Sequence, residues 1–365
     1  MSAIVRAIDV GFGVTKFITA SGNGTVSTEH FPSLAFYTPT EPSRDALRGR
    51  RKTVCVPVGP LWFEVGPEAT LATDRFRATQ LHDGYTETDE YRALVAGALH
   101  YMKQPAIDLL VLGLPVAQYV LRRAALEKAM TGAFEIGRGR QVTVRKVLVV
   151  AQPQGALFSY AADSGQLAET LGQRSLVIDA GTRTFDWLVT QGMRVMPGLS
   201  HSVDRGVSDI LRVIAEGISA DIGEPYGDHD AIDLALRTKK PVRIYQRPYD
   251  MRRHIVTAEK IAEQAVTSML ERLGSSHGFE HVVLAGGGAF LFRKALKVRL
   301  PKVTVTEVAE PLYANVKGFQ LIGEQYARDK GLTAAAPARE ATPAASATQV
   351  PVDSNGAKAV LEGGA

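Results

Sequence analysis

Short apolar runs that lead into glycine-containing turns are the strongest pattern along this chain. Three such runs cover residues 4–8, 176–178 and 282–285. Runs of this length, closed by turn residues, are typical of buried strands. Residues 91–101 and 116–130 instead carry apolar side chains at the three-to-four-residue spacing of helices. This alternation of strands and helices predicts an α/β fold.

Weaker patterns predict the elements between these runs. Residues 17–31 and 54–65 alternate apolar and polar positions, so each predicts a hairpin. Residues 142–150 predict one further strand, and residues 156–162 predict a helix that links the two halves of the chain. Residues 257–273 predict a long helix, because Thr257 is a good N-cap and a glycine follows its last apolar position.

The first turn has the chemistry of a phosphate site. Gly11 and Gly13 let backbone N–H groups approach and face an anion, and Lys16 adds a positive charge. Asp9 would repel a phosphate, so its presence favours a hydrated Mg²⁺ between the carboxylate and the phosphate. The alternative interpretation is a hairpin turn with a polar rim.

The same plan occurs twice more, in whole or in part. Asp179, Gly181 and Thr182 follow the second apolar run as Asp9, Gly11 and their neighbours follow the first. Glycines 286–288 follow the third run. Two strand–turn–strand units of this kind would hold one phosphate tail and one metal ion between them, and the ordered trio is more specific than any single motif.

With these motifs, the chain resembles the actin-like ATPase superfamily, which includes actin, the Hsp70 ATPase domain and the sugar kinases. Within it, the chain is most similar to bacterial plasmid-segregation filament proteins of the ParM and StbA type, including the PRTRC system protein D group. Residues 5–16 resemble the first phosphate loop, 177–186 the second, and 285–289 the glycine loop on the adenosine side. The stretch 149–156 resembles the connector between the two domains.

The resemblance implies an α/β actin-like ATPase fold, with two duplicated ribonuclease H-like domains around a nucleotide cleft. Domain I would comprise residues 1–155 with 311–332 returning to it, and domain II would comprise residues 156–310. Residues 333–365 are rich in alanine, proline, threonine and serine, and their composition predicts a disordered tail.

The resemblance also implies roles for individual residues. Asp9 and Asp179 would be catalytic residues that hold Mg²⁺ through its waters, Gln154 would orient the attacking water, and Asp186 would assist behind them. Phe12 departs from the family, because many relatives carry a serine or threonine there whose hydroxyl contacts the terminal phosphate. The residues expected to bind ATP are Gly11, Phe12, Gly13, Thr15, Lys16, Gly181, Thr182, Glu259, Lys260, Gly286, Gly287 and Gly288.

The leading functional hypothesis is an ATPase that binds Mg²⁺ and ATP and polymerises into filaments for plasmid or DNA segregation. Its partners would be further copies of itself and a DNA-binding adaptor protein. One alternative is a small-molecule kinase of the same fold, for which Asp204 is the candidate base. Another is a scaffold that holds the nucleotide without hydrolysing it.

Composition narrows these hypotheses only slightly. The chain has 365 residues, 45% hydrophobic and 22% charged, which fits a globular protein of about two domains. Its one cysteine, Cys55, allows no intrachain disulfide, and the sequence shows no signal peptide or membrane span, so the expected location is the cytoplasm.

Two basic segments have no assigned role. The formal net charge is only +4, which permits contact with nucleic acid but does not argue for it. The basic residues within 44–52 would either contact DNA or a neighbouring subunit or lie on a solvated loop. Those within 239–253 would form a subunit contact or the solvated face of an insertion.

Overall fold

The computed structural model describes residues 2–22, 25–38, 51–72, 84–274 and 278–334. The strands are β1 (Val5–Val10), β2 (Val14–Gly22), β3 (Thr25–Pro32), β4 (Phe36–Thr38), β5 (Val54–Val58), β6 (Leu61–Val65), β7 (Ala106–Ile107), β8 (Leu109–Leu114), β9 (Gly132–Glu135), β10 (Gln141–Val144), β11 (Val147–Ala151), β12 (Arg174–Ala180), β13 (Phe185–Gln191), β14 (Arg194–Val195), β15 (His201–Val203), β16 (Val242–Ile244), β17 (Arg247–Tyr249), β18 (His281–Ala285) and β19 (Thr306–Glu307). The helices are α1 (Asp89–Met102), α2 (Val116–Ala129), α3 (Gln152–Asp163), α4 (Leu167–Thr170), α5 (Val207–Ile222), α6 (His229–Thr238), α7 (Arg252–Leu273), α8 (Ala289–Arg299) and α9 (Ala314–Asp329).

The first large sheet has the strand order β3-β2-β1-β8-β11. Strands β1, β2 and β3 form an antiparallel meander, and β8 and β11 then add in parallel. Strand β8 is buried along its whole length, as a parallel strand covered on both faces should be.

The second large sheet repeats this order. Its path is β14-β13-β12-β18-β19, with β15 added on β13. Again an antiparallel meander is followed by parallel strands, here β18 and β19. The shared order means that β1 and β12 occupy equivalent central positions, so the turns after them are equivalent too. The predicted duplicated α/β fold is therefore confirmed.

Helices cover both faces of each large sheet. Helix α1 packs over one face of the first sheet and helix α9 over the other, where Val316 and Phe319 are fully buried. On the second sheet, α5, α7 and α8 share one core, while α3 covers the opposite face. Small sheets of β4, β5 and β6, of β7, β9 and β10, and of β16 and β17 complete the described part of the chain.

Three predicted elements have different limits. The strand predicted over 142–150 is two strands, because the chain leaves β10 in a small sheet and enters the large sheet as β11. The helix predicted over 156–162 begins four residues earlier, at Gln152. The helix predicted from Thr257 begins at Arg252, and the Thr257 hydroxyl donates to the Arg253 carbonyl oxygen within the helix instead of capping it.

Both large sheets belong to one compact unit over residues 1–335. The boundary expected between domains I and II, at residues 155 and 156, stays a prediction. Among the described helices, none combines the length and the apolar character that a membrane span requires. The basic stretch 44–52 falls largely outside the described residues, as does the predicted tail.

Candidate functional site

The turn between β1 and β2 brings a carboxylate and an ammonium group together. Asp9 is almost fully buried, and its Oδ2 accepts a hydrogen bond from Lys16 Nζ at 2.9 Å. The two residues are paired across the hairpin, which fixes this contact. Among the described residues, no atom accepts from the backbone N–H of Phe12 or Gly13. The turn thus offers free donors beside an ion pair, as a phosphate loop requires.

The Ser33 hydroxyl holds the first turn in shape. It donates to the Gly11 carbonyl oxygen at 2.6 Å and lies 2.9 Å from the Thr15 hydroxyl. Thr15 is fully buried, so its hydroxyl supports the loop from behind and does not line the cleft.

The end of β12 places Asp179 opposite the first turn. Its Oδ2 accepts from Asn315 Nδ2 at 2.6 Å. Burial, with the nearby charge of Asp186, raises the pKa of Asp179 to about 7, and the Asn315 hydrogen bond opposes that rise. The ionised carboxylate is therefore undercompensated where it lies, which is the condition that a bound cation would relieve.

The third glycine turn packs directly on the second. Gly286 has a φ of +90°, and a Cβ there would lie 2.3 Å from Asp179 Oδ1 and 2.4 Å from the Ala180 carbonyl oxygen. The Gly288 amide donates to the same carbonyl oxygen at 2.9 Å. Glycine is required at Gly286 both by its backbone conformation and by this close approach.

The two phosphate-loop turns touch each other. A Cβ on Gly13 would lie 2.6 Å from the Thr182 hydroxyl oxygen, so only a residue without a side chain permits this approach. The first loop, the second loop and the third loop therefore converge on one cleft. It is lined by Asp9, Gly11, Phe12, Val14, Lys16, Gln152, Asp179, Gly181, Thr182, Thr184, Asp186, Gly286, Gly287, Leu312 and Asn315.

Asp186 connects the two halves of the cleft. Its carboxylate accepts from the hydroxyls of Thr184, at 2.5 Å, and Ser202. It also accepts from the backbone N–H of Val116, at the start of α2, at 3.3 Å. Burial raises the pKa of Asp186, and these hydrogen bonds oppose the rise. An anion at a helix N-terminus is favourable, so this contact holds α2 of one half against β13 of the other.

The glutamine that reaches the cleft is Gln152, two residues before the predicted Gln154. Gln152 Nε2 donates to Asp9 Oδ1 at 2.8 Å, and the side chain is largely buried. The Gln154 side chain turns back to the start of α3, where its Oε1 accepts from the Ala151 amide at 2.9 Å. Gln154 is therefore placed as a helix cap and is not among the residues that line the cleft.

Phe12 and Arg183 join the rims of the first two loops. The Arg183 guanidinium lies 5.3 Å from the centre of the Phe12 ring, within the range of a cation–π contact. The centre of the Tyr85 ring lies 5.4 Å from the centre of the Phe12 ring. Arg183 also pairs with Asp204 at 3.3 Å. The position that carries a hydroxyl in many relatives here holds an aromatic ring that brings an arginine to the cleft rim.

Glu259 and Lys260, the two nucleotide-binding residues predicted on α7, lie in different surroundings. The Glu259 carboxylate pairs with Lys294 on α8 at 2.5 Å, away from the cleft. Lys260 lines a second, polar groove between α7 and the loop after β15, together with Asp204 and Arg205. This groove adjoins the second phosphate loop, because a Cβ on Gly206 would lie 2.4 Å from the Thr182 carbonyl oxygen.

Sequence reasoning missed Gln152 and Asn315 as cleft residues. Asn315 is buried, and its Oδ1 has no hydrogen-bond partner among the described residues, so it remains free to accept from a bound water. The only sequence signal for Gln152 was its place directly after a buried strand. Asn315 gave no signal, because its partner lies in a distant part of the chain.

Taken together, these features define a class of protein: two duplicated sheets whose equivalent turns enclose a cleft with phosphate-loop chemistry. Residues 7–155 match the family model described as actin like proteins N terminal domain, and residues 177–298 match that of the archaeal actin homologue MreB-like, C-terminal. The chain belongs to the actin-like ATPase superfamily.

Solved structures agree on the fold. The archaeal actin homologue Ta0583 has a TM-score of 0.69 at 22% identity, covering 88% of this chain and 99% of its own. A subunit of a 15-stranded ParM filament from Clostridium botulinum has a TM-score of 0.68 at 19% identity, with 89% and 100% covered. Bacillus thuringiensis ParM, solved with ATP, has a TM-score of 0.59 at 11% identity, with 89% and 99% covered. No curated protein matches the chain in sequence.

Proposed function

We propose that this chain is an ATPase that binds ATP with Mg²⁺ in the cleft and assembles into filaments under nucleotide control. The observation that carries the proposal is the convergence of three glycine turns, three carboxylates and one lysine on a single cleft. Backbone N–H groups and Lys16 would hold the phosphates. Two structures similar to this chain contain adenine nucleotides: Ta0583 was solved with ADP and Bacillus thuringiensis ParM with ATP. Both support the choice of nucleotide.

The residues present fit a magnesium ion held through water. Asp9, from the first loop, and Asp179, from the second, line the same cleft. Among the residues that line it, only Lys16 is cationic. The described residues contain no group of three or more histidine, cysteine, aspartate or glutamate side chains arranged to hold a metal directly. Mg²⁺ commonly uses one or two carboxylates, phosphate oxygens and several waters, so this donor set suits it. When bound, the ion would offset the phosphate charge and polarise the terminal phosphoryl group.

The polar groove beside the second loop is the place for the nucleoside. It lies beside the second loop, near Gly206, and is lined by Lys260, Glu263, Gln264 and Thr267 of α7. Hydroxyl, amide and carboxylate groups of this kind suit a ribose and a base edge. Lys260 therefore keeps its predicted nucleotide role in the proposal, whereas Glu259 does not.

Gln152 takes the water-orienting role first predicted for Gln154. Its side-chain amide lies against Asp9 at the phosphate end of the cleft, so its oxygen can meet a water held near the metal site. The proposal predicts that Gln152→Ala slows ATP hydrolysis strongly, by roughly 10²–10³-fold, with little change in ATP affinity. Gln154→Ala is the matched control: it should lower helix stability while leaving turnover per folded molecule near the parent value. The reverse pattern would return the role to Gln154.

Filament formation is the further part of the proposal. ParM structures similar to this chain include a 15-stranded filament and a non-polymerisable mutant, which supports self-association. A head-to-tail contact that does not close on itself would generate such a filament. Plasmid or DNA segregation, with a DNA-binding adaptor, follows as the cellular role. The kinase alternative loses support because Asp204 is largely exposed and already paired with Arg183.

Light scattering with and without ATP tests the assembly step. Scattering should rise on addition of ATP and Mg²⁺ and decay as ATP is consumed. In Gln152→Ala the rise should persist, because hydrolysis is the step that releases the clamp. A parent protein that turns over ATP without any change in scattering would exclude filament formation. One that binds ATP without turnover would favour the scaffold alternative.

A further inference from the structure

A basic hairpin projects from the second half of the molecule. It comprises residues 239–249, in which β16 and β17 form a two-stranded sheet separate from both large sheets. Val242 is buried, and the partly buried Ile244 and Tyr249 pack against the second core, so the hairpin has one anchored face. The rest of it lies at the surface.

The exposed part of the basic hairpin carries cations that lack counter-charges. Lys239, Lys240, Arg243 and Arg247 are all exposed, and no carboxylate of the described chain lies within ion-pair distance of any of them. A cation cluster without partners is self-repelling and is available to an external anion.

The acidic residues around the hairpin are already engaged elsewhere. Three nearby aspartates at positions 221, 233 and 250 each form an ion pair with an arginine outside the hairpin, and these arginines are Arg253, Arg237 and Arg252 respectively. Glu224 lies near the tip, where its carboxylate raises the pKa of the Tyr245 hydroxyl. The positive charge of the hairpin is therefore not neutralised by ion pairs with its own surroundings.

The tip of the hairpin is held in an uncommon backbone conformation. Five described residues other than glycine have positive φ, and three of them, Lys239, Tyr245 and Gln246, lie in this one segment. The Arg243 guanidinium donates to the Gln246 carbonyl oxygen across the turn. Positive φ at both central residues is the geometry of a two-residue hairpin turn, and tyrosine and glutamine adopt it at some cost in stability.

We propose that the basic hairpin binds the phosphate backbone of double-stranded DNA. A two-stranded ribbon has a width that the major groove admits, and exposed lysines and arginines along it suit contacts to successive phosphates. The four exposed cations of the hairpin supply these contacts. Binding is independent of sequence and of ATP, so it stands or falls separately from the proposed ATPase activity.

Fluorescence anisotropy of a labelled duplex of about three helical turns, without nucleotide, tests this directly. The full chain should bind with an affinity that falls steeply between about 50 and 200 mM salt. In the triple variant Lys239→Ala/Lys240→Ala/Arg247→Ala, each phosphate contact removed should weaken binding roughly eightfold at about 0.1 M salt and should lower the salt slope by about 0.9. All three side chains are exposed, so the variant should fold, and a thermal melt checks that.

A matched control separates local contacts from net charge. Lys297→Ala/Arg299→Ala/Lys302→Ala removes three exposed cations from the end of α8 and the loop after it, and it changes net charge by the same amount. The proposal requires this control to keep both the affinity and the salt slope. An equal weakening in the two variants would show a diffuse charge effect and overturn the proposal.

Sedimentation of the same variants in the presence of ATP tests whether the hairpin binds a second copy of the chain instead of DNA. If the hairpin instead meets an acidic surface on a second copy, the hairpin variant would keep its affinity for DNA and no longer form sedimenting assemblies. That result overturns DNA binding by this surface, as does a parent chain that fails to bind the duplex at about 50 mM salt.

Discussion

Asp179→Asn should stabilise the nucleotide-free protein at alkaline pH and have little effect at acidic pH. The structure raises the pKa of this carboxyl from its ordinary 3.8 to about 7, chiefly through burial. The folded state therefore holds the proton more tightly than the unfolded state does. Below pH 3.8 both states are protonated and no penalty arises. As pH rises from about 4 to 7, the free energy of unfolding falls, and above 7 the whole penalty is present.

The size of the effect follows from the shift. Each pKa unit is worth about 1.4 kcal/mol, so a rise of about three units sets an upper limit of about 4 kcal/mol at pH 8. Asparagine has the same shape, carries no charge, and its side-chain oxygen can still accept from Asn315 Nδ2. The variant should therefore gain most of this free energy at pH 8 and about 1 kcal/mol or less near pH 4.5.

Urea denaturation at both pH values, without nucleotide or Mg²⁺, measures the difference. Asp163→Asn is the matched control, because Asp163 is exposed at the end of α3 and makes the same change in charge. The reasoning is refuted if Asp179→Asn shifts stability equally at both pH values, or lowers it at pH 8. Addition of Mg²⁺ and ATP should reverse the ranking, since a cation stabilises the ionised parent and not the amide.

Four further results are expected. Gly286→Ala should destabilise by about 2 kcal/mol or more and abolish ATP binding, because its φ is +90° and its Cβ would strike Asp179; a melt and a binding titration check this. Gly287→Ala, whose Cβ would approach only Leu312 at 3.3 Å, should be milder in both measurements. Asp179→Ala should remove most ATP hydrolysis while the circular dichroism spectrum is kept. Truncation after Ala334 should leave the melting temperature and ATP affinity unchanged, since the residues removed are poor in large apolar side chains.

The turns of the cleft could be predicted from the sequence because their chemistry is local. The segment from Asp9 to Lys16 contains an aspartate, two glycines and a lysine. Together these residues indicate both the backbone conformation and the charge that a phosphate loop needs. The repeat of that plan after a second buried strand predicted two similar strand–turn–strand units, and the family resemblance implied the duplicated fold that the strand order of both sheets confirms.

The identity of the cleft glutamine could not be read in the same way. It depends on the residue at which α3 begins, and the predicted helix began four residues too late. Each residue of a helix turns by about 100°, so a shift of two positions moves a side chain to nearly the opposite face. Gln154 consequently caps the helix that Gln152 begins, although the two differ little in sequence context.

Partners that come from distant segments were beyond sequence reasoning. Asn315 meets Asp179 from α9, and Val116 meets Asp186 from the start of α2. Asparagine near a helix start and valine after proline are both ordinary residues in a sequence. Only the return of α9 between the two sheets gives Asn315 its place in the cleft.

The position of α9 depends on Gly155 and Gly318, whose packing role could not be predicted from the sequence. Helices α3 and α9 cross where a Cβ on Gly318 would lie 1.7 Å from the Gly155 carbonyl oxygen, and a Cβ on Gly155 would lie 2.3 Å from the Asn315 carbonyl oxygen. Any side chain at this crossing would force the helices apart. Because α3 begins with Gln152 and α9 carries Asn315 near its start, the crossing sets the distance between the residues that contact Asp9 and Asp179. The close packing of these two helices therefore fixes the distance between Gln152 and Asn315 across the cleft.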